Sequence, residues 1–98
     1  MPVGNEQGKI RPALIVSSDD WNNHASVVTV LPFTRTQHDY PTRVEIEPSP
    51  RSGLDATSYA RCEDIRSVSD RRLVRALGRV DDVVMLAVSR TMRLFLEV

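Results

Sequence analysis

The 98-residue chain reads as an α+β protein: an antiparallel sheet or small barrel followed by one long helix. Two observations predict this. Short, β-branched-rich runs recur along most of the chain, and their connections are too brief for parallel crossovers. Only the final segment carries a sustained helical period, with Val84, Val88, Met92 (with Ala87) and Phe95 spaced i, i+4, i+8, i+11. The length allows one domain, residues 1–98, with a modest core that buries roughly 60–65% of the unfolded surface.

Each element has a local cause. Gly4 to Lys9 reads as a solvent-exposed loop. Ile10 to Ser17 is a short apolar strand, with Pro12 at its beginning or on an edge because proline offers no N–H. Ser18 is placed to cap a short helix whose first turn holds Asp19 and Asp20, at the positive end of the helix dipole. Trp21 then reads as core. Ser26 to Thr34 is the second strand, and Pro32 turns its far end into an edge or a bulge. Thr42 to Glu47 alternates, with Val44 and Ile46 inward and Arg43, Glu45 and Glu47 outward. A turn over Pro48 to Gly53 leads to a strand over Ser58 to Ile65. Ser69 or Asp70 caps one helical turn, and Val74 to Val80 is read as a strand because Gly78 weakens a helix there. The last helix starts from a cap at Asp81 or Asp82 and runs to about Leu96.

Composition excludes several classes. Thirteen basic residues balance thirteen acidic ones, so a strong non-specific polyanion binder is not indicated, although a local basic groove is possible. Arginine, the residue suited to bidentate phosphate contacts, dominates the basic set. A cluster at Arg61, Arg66, Arg71, Arg72, Arg75 and Arg79 tilts the second half positive. The single cysteine, Cys62, forms no internal disulfide and reads as a small packed residue. His24, His38 and Cys62 lack metal-ligand spacing, so neither metal nor cofactor is implied. No stretch suits a signal peptide or a membrane span, which points to the cytoplasm.

Five motifs, "GNEQGKIRPALIVS" (Gly4–Ser17), "VTVLPFT" (Val28–Thr34), "YPTRVEIEP" (Tyr40–Pro48), "GLDATSYARCEDIRSV" (Gly53–Val68) and "RVDDVVMLAVSRTMRLFL" (Arg79–Leu96), stand in order along the chain. Together they resemble the MazF/PemK family of toxin endoribonucleases from bacterial toxin–antitoxin pairs. The resemblance implies an SH3-like barrel with a C-terminal helix, a two-fold homodimer and inhibition by a cognate antitoxin. It also implies metal-independent, sequence-specific cleavage of single-stranded RNA, with Arg11 and Thr34 as the catalytic pair. RNA contacts are expected from Asn5, Glu6 and Gln7, whose polar groups suit unstacked base edges, and from Arg35, Glu63 and Arg66. Two features depart from the family pattern. Met1 falls where a first strand should already have ended, so that strand is expected to be absent and its neighbours left with an open edge. Asp64 stands where the family carries glutamine, between Glu63 and the Ile65-Arg66 pair.

Residue chemistry limits the mechanism. RNA cleavage without a metal uses the substrate's own 2′-OH as nucleophile, and a histidine pair is the familiar acid–base solution. His24 follows the short helix and His38 sits in a polar loop, so neither suits that role. A guanidinium holds its proton far above neutral pH, so Arg11 is suited to stabilising charge on the phosphorane, with Thr34 adding a hydroxyl donor. Pro12 biases Arg11 toward an extended backbone that aims its side chain. The plain alternative is that Arg11 caps a sheet edge or pairs with Glu6. At the level of the whole protein, the alternatives are a non-catalytic SH3-like module that binds RNA or an antitoxin peptide, and a CcdB-like gyrase poison.

Overall fold

The computed structural model describes residues 2–6 and 11–98, with the backbone alone for residues 2, 3, 5 and 6. Among these residues seven strands, β1 (Pro2–Glu6), β2 (Pro12–Ile15), β3 (Val27–Thr34), β4 (Arg43–Ile46), β5 (Ser58–Arg61), β6 (Arg66–Ser69) and β7 (Leu73–Arg79), form one antiparallel sheet. The helices are α1 (Asp19–His24) and α2 (Asp82–Leu96). The strand order is β4-β5-β3-β2-β1-β7, and β6 also pairs with β3. This is the small barrel-like α+β fold with a C-terminal helix that the sequence predicts.

The expectation of a missing first strand is corrected. Pro2–Glu6, whose last three residues open the segment Gly4 to Lys9 read as an exposed loop, forms β1 between β2 and β7, with Val3 opposite Leu14 on one side and Gly78 on the other. The backbone groups that would have stood open at β2 and β7 are thereby paired, which is a sufficient physical reason for a polar segment to become a strand.

β3 organises the sheet. One edge takes β2, with Leu14 opposite Leu31 and Ile15 opposite Val30. The other edge takes β6 along Val27–Val30 and β5 along Phe33–Thr34. The strand expected over Ser58 to Ile65 therefore ends at Arg61: a 3-10 turn at Cys62–Asp64 follows it and shifts the register to β6, a strand beyond the expected span. Pro32 lies opposite that interruption, where this edge makes no ladder pair, so the lack of an N–H is tolerated inside the strand. Its far end is consequently a paired strand, not an edge.

Both faces of β2 and β3 are covered. Leu14, Leu31, Phe33, Ile46, Leu54, Ala60, Cys62 and Val80 pack with Val88 of α2 in the main core. Ala13, Ile15, Val28, Val30 and Val68 form a second cluster. α2 presents Val84, Val88 and Met92 to the main core, as the spacing predicts, whereas Phe95 at the end of the stripe is 43% exposed. Leu94 and Val83 are more exposed still, at 82% and 79%. Cys62 is buried and its thiol is pushed up to about 11, first by desolvation and then by the neighbouring Glu63 charge.

The connection from β4 to β5 is held against β7 by close backbone approach. A Cβ on Gly53, whose φ is 71°, would stand 2.0 Å from the Leu77 carbonyl oxygen, and one on Gly78 would stand 2.1 Å from that of Arg51. Arg79 N–H donates to the Arg51 carbonyl at 2.9 Å, and the buried Ser52 hydroxyl accepts from the N–H groups of Ser49 and Leu54. This anchoring presents Leu54 and Asp55 beside the end of β3.

Local capping follows the sequence. Ser18 Oγ accepts from the Trp21 N–H at 3.2 Å, and Ser69 Oγ accepts from Arg71 N–H in the short turn Asp70–Arg72. Asp81 is the cap residue of α2 but makes no side-chain cap bond; its carboxylate pairs with Arg51 at 3.2 Å. Trp21 is not core as expected: it is 55% exposed, and its Nε1 donates to the Val27 carbonyl. α1 has no buried residue, so the indole covers the strand end from outside.

Candidate active-site cleft

Arg11 and Thr34 reach the same place by different routes. Arg11 immediately precedes β2, and Thr34 is the last residue of β3, so the antiparallel pairing of these strands brings their ends together. Both line a cleft of about 320 Å³, together with Pro12, Phe33, Arg35, Leu54, Asp55, Ser58 and Arg61. Arg35, named with them from sequence, belongs to the same wall.

The charges are unequally engaged. Arg35 Nη2 donates to Asp55 Oδ1 at 3.1 Å, and both side chains are largely exposed. Arg11 makes no ion pair or hydrogen bond among the described residues. Arg61 lies near two carboxylates at more than hydrogen-bonding length: Nε is 3.6 Å from Glu63 and Nη1 is 3.5 Å from Asp64. Its buried Nε has no hydrogen-bond acceptor among the described residues. The lining thus carries three guanidinium groups against one carboxylate, an electropositive pocket with donors available for an anion.

Glu63 lies behind this wall. Its Oε1 accepts from Thr42 Oγ1 at 2.9 Å and its Oε2 from Arg43 Nε at 3.1 Å. Burial by itself would raise the Glu63 pKa, but its backbone N–H, Thr42 and the Arg43 guanidinium together hold the carboxyl below its ordinary value. Arg43, expected to face solvent, is instead covered: its side chain is 7% exposed. A buried guanidinium is tolerated because Glu63 neutralises it.

The other sequence candidates are placed apart. Arg66 pairs opposite Val30, four residues up β3 from Thr34 and about 13 Å along the strand, and it does not line the cleft. Asn5 and Glu6 belong to β1 by their backbone, and Gln7 lies outside the described residues. His24 Nδ1 meets the Asp20 carbonyl oxygen at 2.8 Å on exposed α1, and His38 sits with a φ of 56° near Tyr40; neither lines the cleft. Arg61, Ser58 and Asp55 were not among the sequence candidates. The alternation in "SYAR" could have pointed to Ser58, which it turns inward with Ala60; Arg61 and Asp55 carry no such local signal. No group of three or more His, Cys, Asp or Glu suited to a metal ion occurs among the described residues. No helix among them is long and apolar enough to cross a membrane.

Residues 1–96 match the profile of the family described as PemK-like, MazF-like toxin of type II toxin-antitoxin system. A Mycolicibacterium smegmatis protein named probable endoribonuclease MazF is 35% identical over 96 residues, covering 97% of this chain and 87% of its own length. The solved Mycobacterium tuberculosis toxin MazF-mt6 superimposes with a TM-score of 0.90 over 100% of this chain and 98% of that one; at 24% identity the likeness is one of fold. A mycobacterial endoribonuclease solved in complex with its cognate antitoxin gives a TM-score of 0.85 at 26% identity, over 99% of this chain and 92% of that one.

Proposed function

The chain belongs to the PemK-like, MazF-like toxin family of type II toxin–antitoxin systems, and from this premise we propose that it is an endoribonuclease that cleaves single-stranded RNA at the Arg11–Thr34 cleft. The observation that carries the reading is the convergence of Arg11, Thr34, Arg35 and Arg61 on one concave surface. In the reaction the substrate's 2′-oxygen gives its proton to solvent water and bonds to the adjacent phosphorus. The bond from phosphorus to the 5′-oxygen breaks, and water likewise returns the proton that the leaving oxygen needs. The products are a 2′,3′-cyclic phosphate and a 5′-hydroxyl. Charge grows on the non-bridging oxygens in the transition state, and Arg11, whose side chain has no partner among the described residues, supplies forked donors for it. The Thr34 hydroxyl adds one more donor, and Arg35 and Arg61 contact neighbouring phosphates. Asn5, Glu6 and Gln7 are assigned to base edges and Arg66 to a more distant phosphate.

The protein acts in the cytoplasm, as a homodimer, under control of a cognate antitoxin like that of the mycobacterial complex. The exposed apolar side chains Val83, Leu86 and Leu94 of α2 support a covered surface in that assembly. Readings as a non-catalytic module or as a gyrase poison are not favoured, since the relatives are named endoribonucleases.

The test is cleavage of a mixed-sequence single-stranded RNA by the wild-type chain, Arg11→Ala and Arg11→Lys. Arg11→Ala loses at least about 10²-fold in rate and Arg11→Lys recovers little of it. Wild-type rates from Arg11→Ala refute the assignment. Activity unaffected by EDTA supports the metal-independent route, whereas loss that a divalent ion restores refutes it.

A further inference from the structure

Thr34 Oγ1 does not stand alone at the end of β3. It accepts a hydrogen bond from the Thr36 N–H at 3.2 Å. The carbonyl of that same Thr36 accepts from Arg43 Nη1 at 2.8 Å, and the Gln37 carbonyl accepts from the same nitrogen at 3.3 Å. Arg43 is in turn gripped on its other sides. Its Nε donates to Glu63 Oε2 at 3.1 Å, and its guanidinium carbon lies 4.3 Å from the centroid of the Tyr40 ring. Glu63 is fixed by Thr42. The segment that leaves Thr34 and returns as β4 is therefore tied from inside by one almost fully buried arginine, although it passes through His38 and Asp39 with positive φ.

From this chain of bonds we infer that Arg43 is a positioning residue for the Thr34 hydroxyl, acting through Thr36. The inference rests on the proposed reading of the cleft as the site of RNA cleavage. A threonine hydroxyl has one proton and two acceptor lone pairs. With one lone pair occupied by the Thr36 N–H, the rotor is restrained and the proton remains to be donated to the phosphate. Without the Arg43 tie, the Thr36 carbonyl, which lies in the peptide unit after the one that carries the Thr36 N–H, is released; the φ and ψ of Thr36 lose their restraint, the N–H can turn from Thr34, and the hydroxyl samples orientations that do not meet the phosphate. Misplacement of a reacting group on this scale costs about 10²-fold in rate. Lysine at position 43 keeps a cation beside Glu63 but lacks the fork that reaches Glu63 and Thr36 together.

The experiment measures single-turnover cleavage of the same RNA by the full chain. Arg43→Lys and Arg43→Gln are each made alone and combined with Thr34→Ala, and folding is followed by melting temperature. Arg43→Lys lowers the maximal rate about tenfold and Arg43→Gln about 10²-fold, with the RNA concentration at half-maximal rate nearly unchanged. In the Thr34→Ala background neither substitution costs more, because the group through which Arg43 acts is already absent. Losses that multiply with that of Thr34→Ala overturn the inference and leave Arg43 a support of the whole cleft. If Arg43→Gln does not fold, the Arg43→Lys cycle decides the question alone. Loss of cleavage in Arg11→Ala together with multiplying Arg43 and Thr34 losses refutes only the positioning role. Wild-type cleavage by both Arg11→Ala and Thr34→Ala refutes the cleft itself, and the positioning role with it.

Discussion

The two ends of β3 are built on different principles. From Val28 to Phe33 every side chain except Thr29 is buried, and successive residues feed the two core clusters on opposite faces. At Thr34 the strand turns polar, and its surroundings are ordered by Arg43, Glu63 and Thr42 instead of by aliphatic packing. Apolar burial is non-directional and sets stability. Charge-assisted hydrogen bonds are directional and set the geometry of a reacting group, at a desolvation cost that limits their net contribution to stability. Substitutions at the packed end should therefore act on folding, and substitutions at the polar end on chemistry.

The sharpest contrast is Leu31→Ala. Leu31 is fully buried, so the change removes about 2–5 kcal/mol of stability. Cleavage per folded molecule stays near wild type. Denaturant titration and activity corrected for the folded fraction check this, and a loss of activity at unchanged stability breaks the division. Gly53→Ala crosses the division, because the anchored turn serves both ends. Its positive φ and the clash with the Leu77 backbone cost about 1–3 kcal/mol, and displacement of Asp55 and Leu54 lowers cleavage in the same variant. Unchanged melting temperature and rate would show that the close approach is not required.

The Glu63 contribution is read by pH. Its folded-state pKa lies below the ordinary value of 4.5, so its stabilisation is complete above that value and is lost as pH falls through the lower, folded pKa. Acid titration of the melting temperature should show a drop below about pH 4.5 that flattens in Glu63→Gln. Parallel curves for the two proteins would remove Glu63 from the acid response. The smallest effect belongs to the exposed Arg35–Asp55 pair: Asp55→Asn changes stability by at most about 0.5 kcal/mol, and calorimetric unfolding would reveal anything larger.

What sequence reading reached follows the range of the interactions. The Ser18 cap, the short turn after Ser69 and the inner face of α2 depend on neighbours within one or two turns, and each is present where local pattern places it. Trp21 was misread because its burial depends on whether α1 packs inward, which six residues of pattern cannot say. Arg43 was misread because strand alternation assigns a face but not a partner. Only a carboxylate delivered by the turn at Cys62–Asp64 makes the buried position tolerable. Arg61 was visible as one arginine among many, and its place beside Arg11 depends on β5 pairing with the end of β3.

By itself the sequence determined the α+β class, the order of most elements and the family, and it brought forward Arg11 and Thr34 as a candidate pair, because periodicity, caps and motifs are properties of contiguous residues. Tertiary structure alone decided that residues 2–6 become a strand, that Cys62–Asp64 interrupts the edge of β3, and that Arg43 is buried against Glu63 and holds the segment after Thr34. The physical reason is that backbone pairing, burial and charge neutralisation at these positions are satisfied by groups distant in the chain, and they exist only once the sheet has assembled.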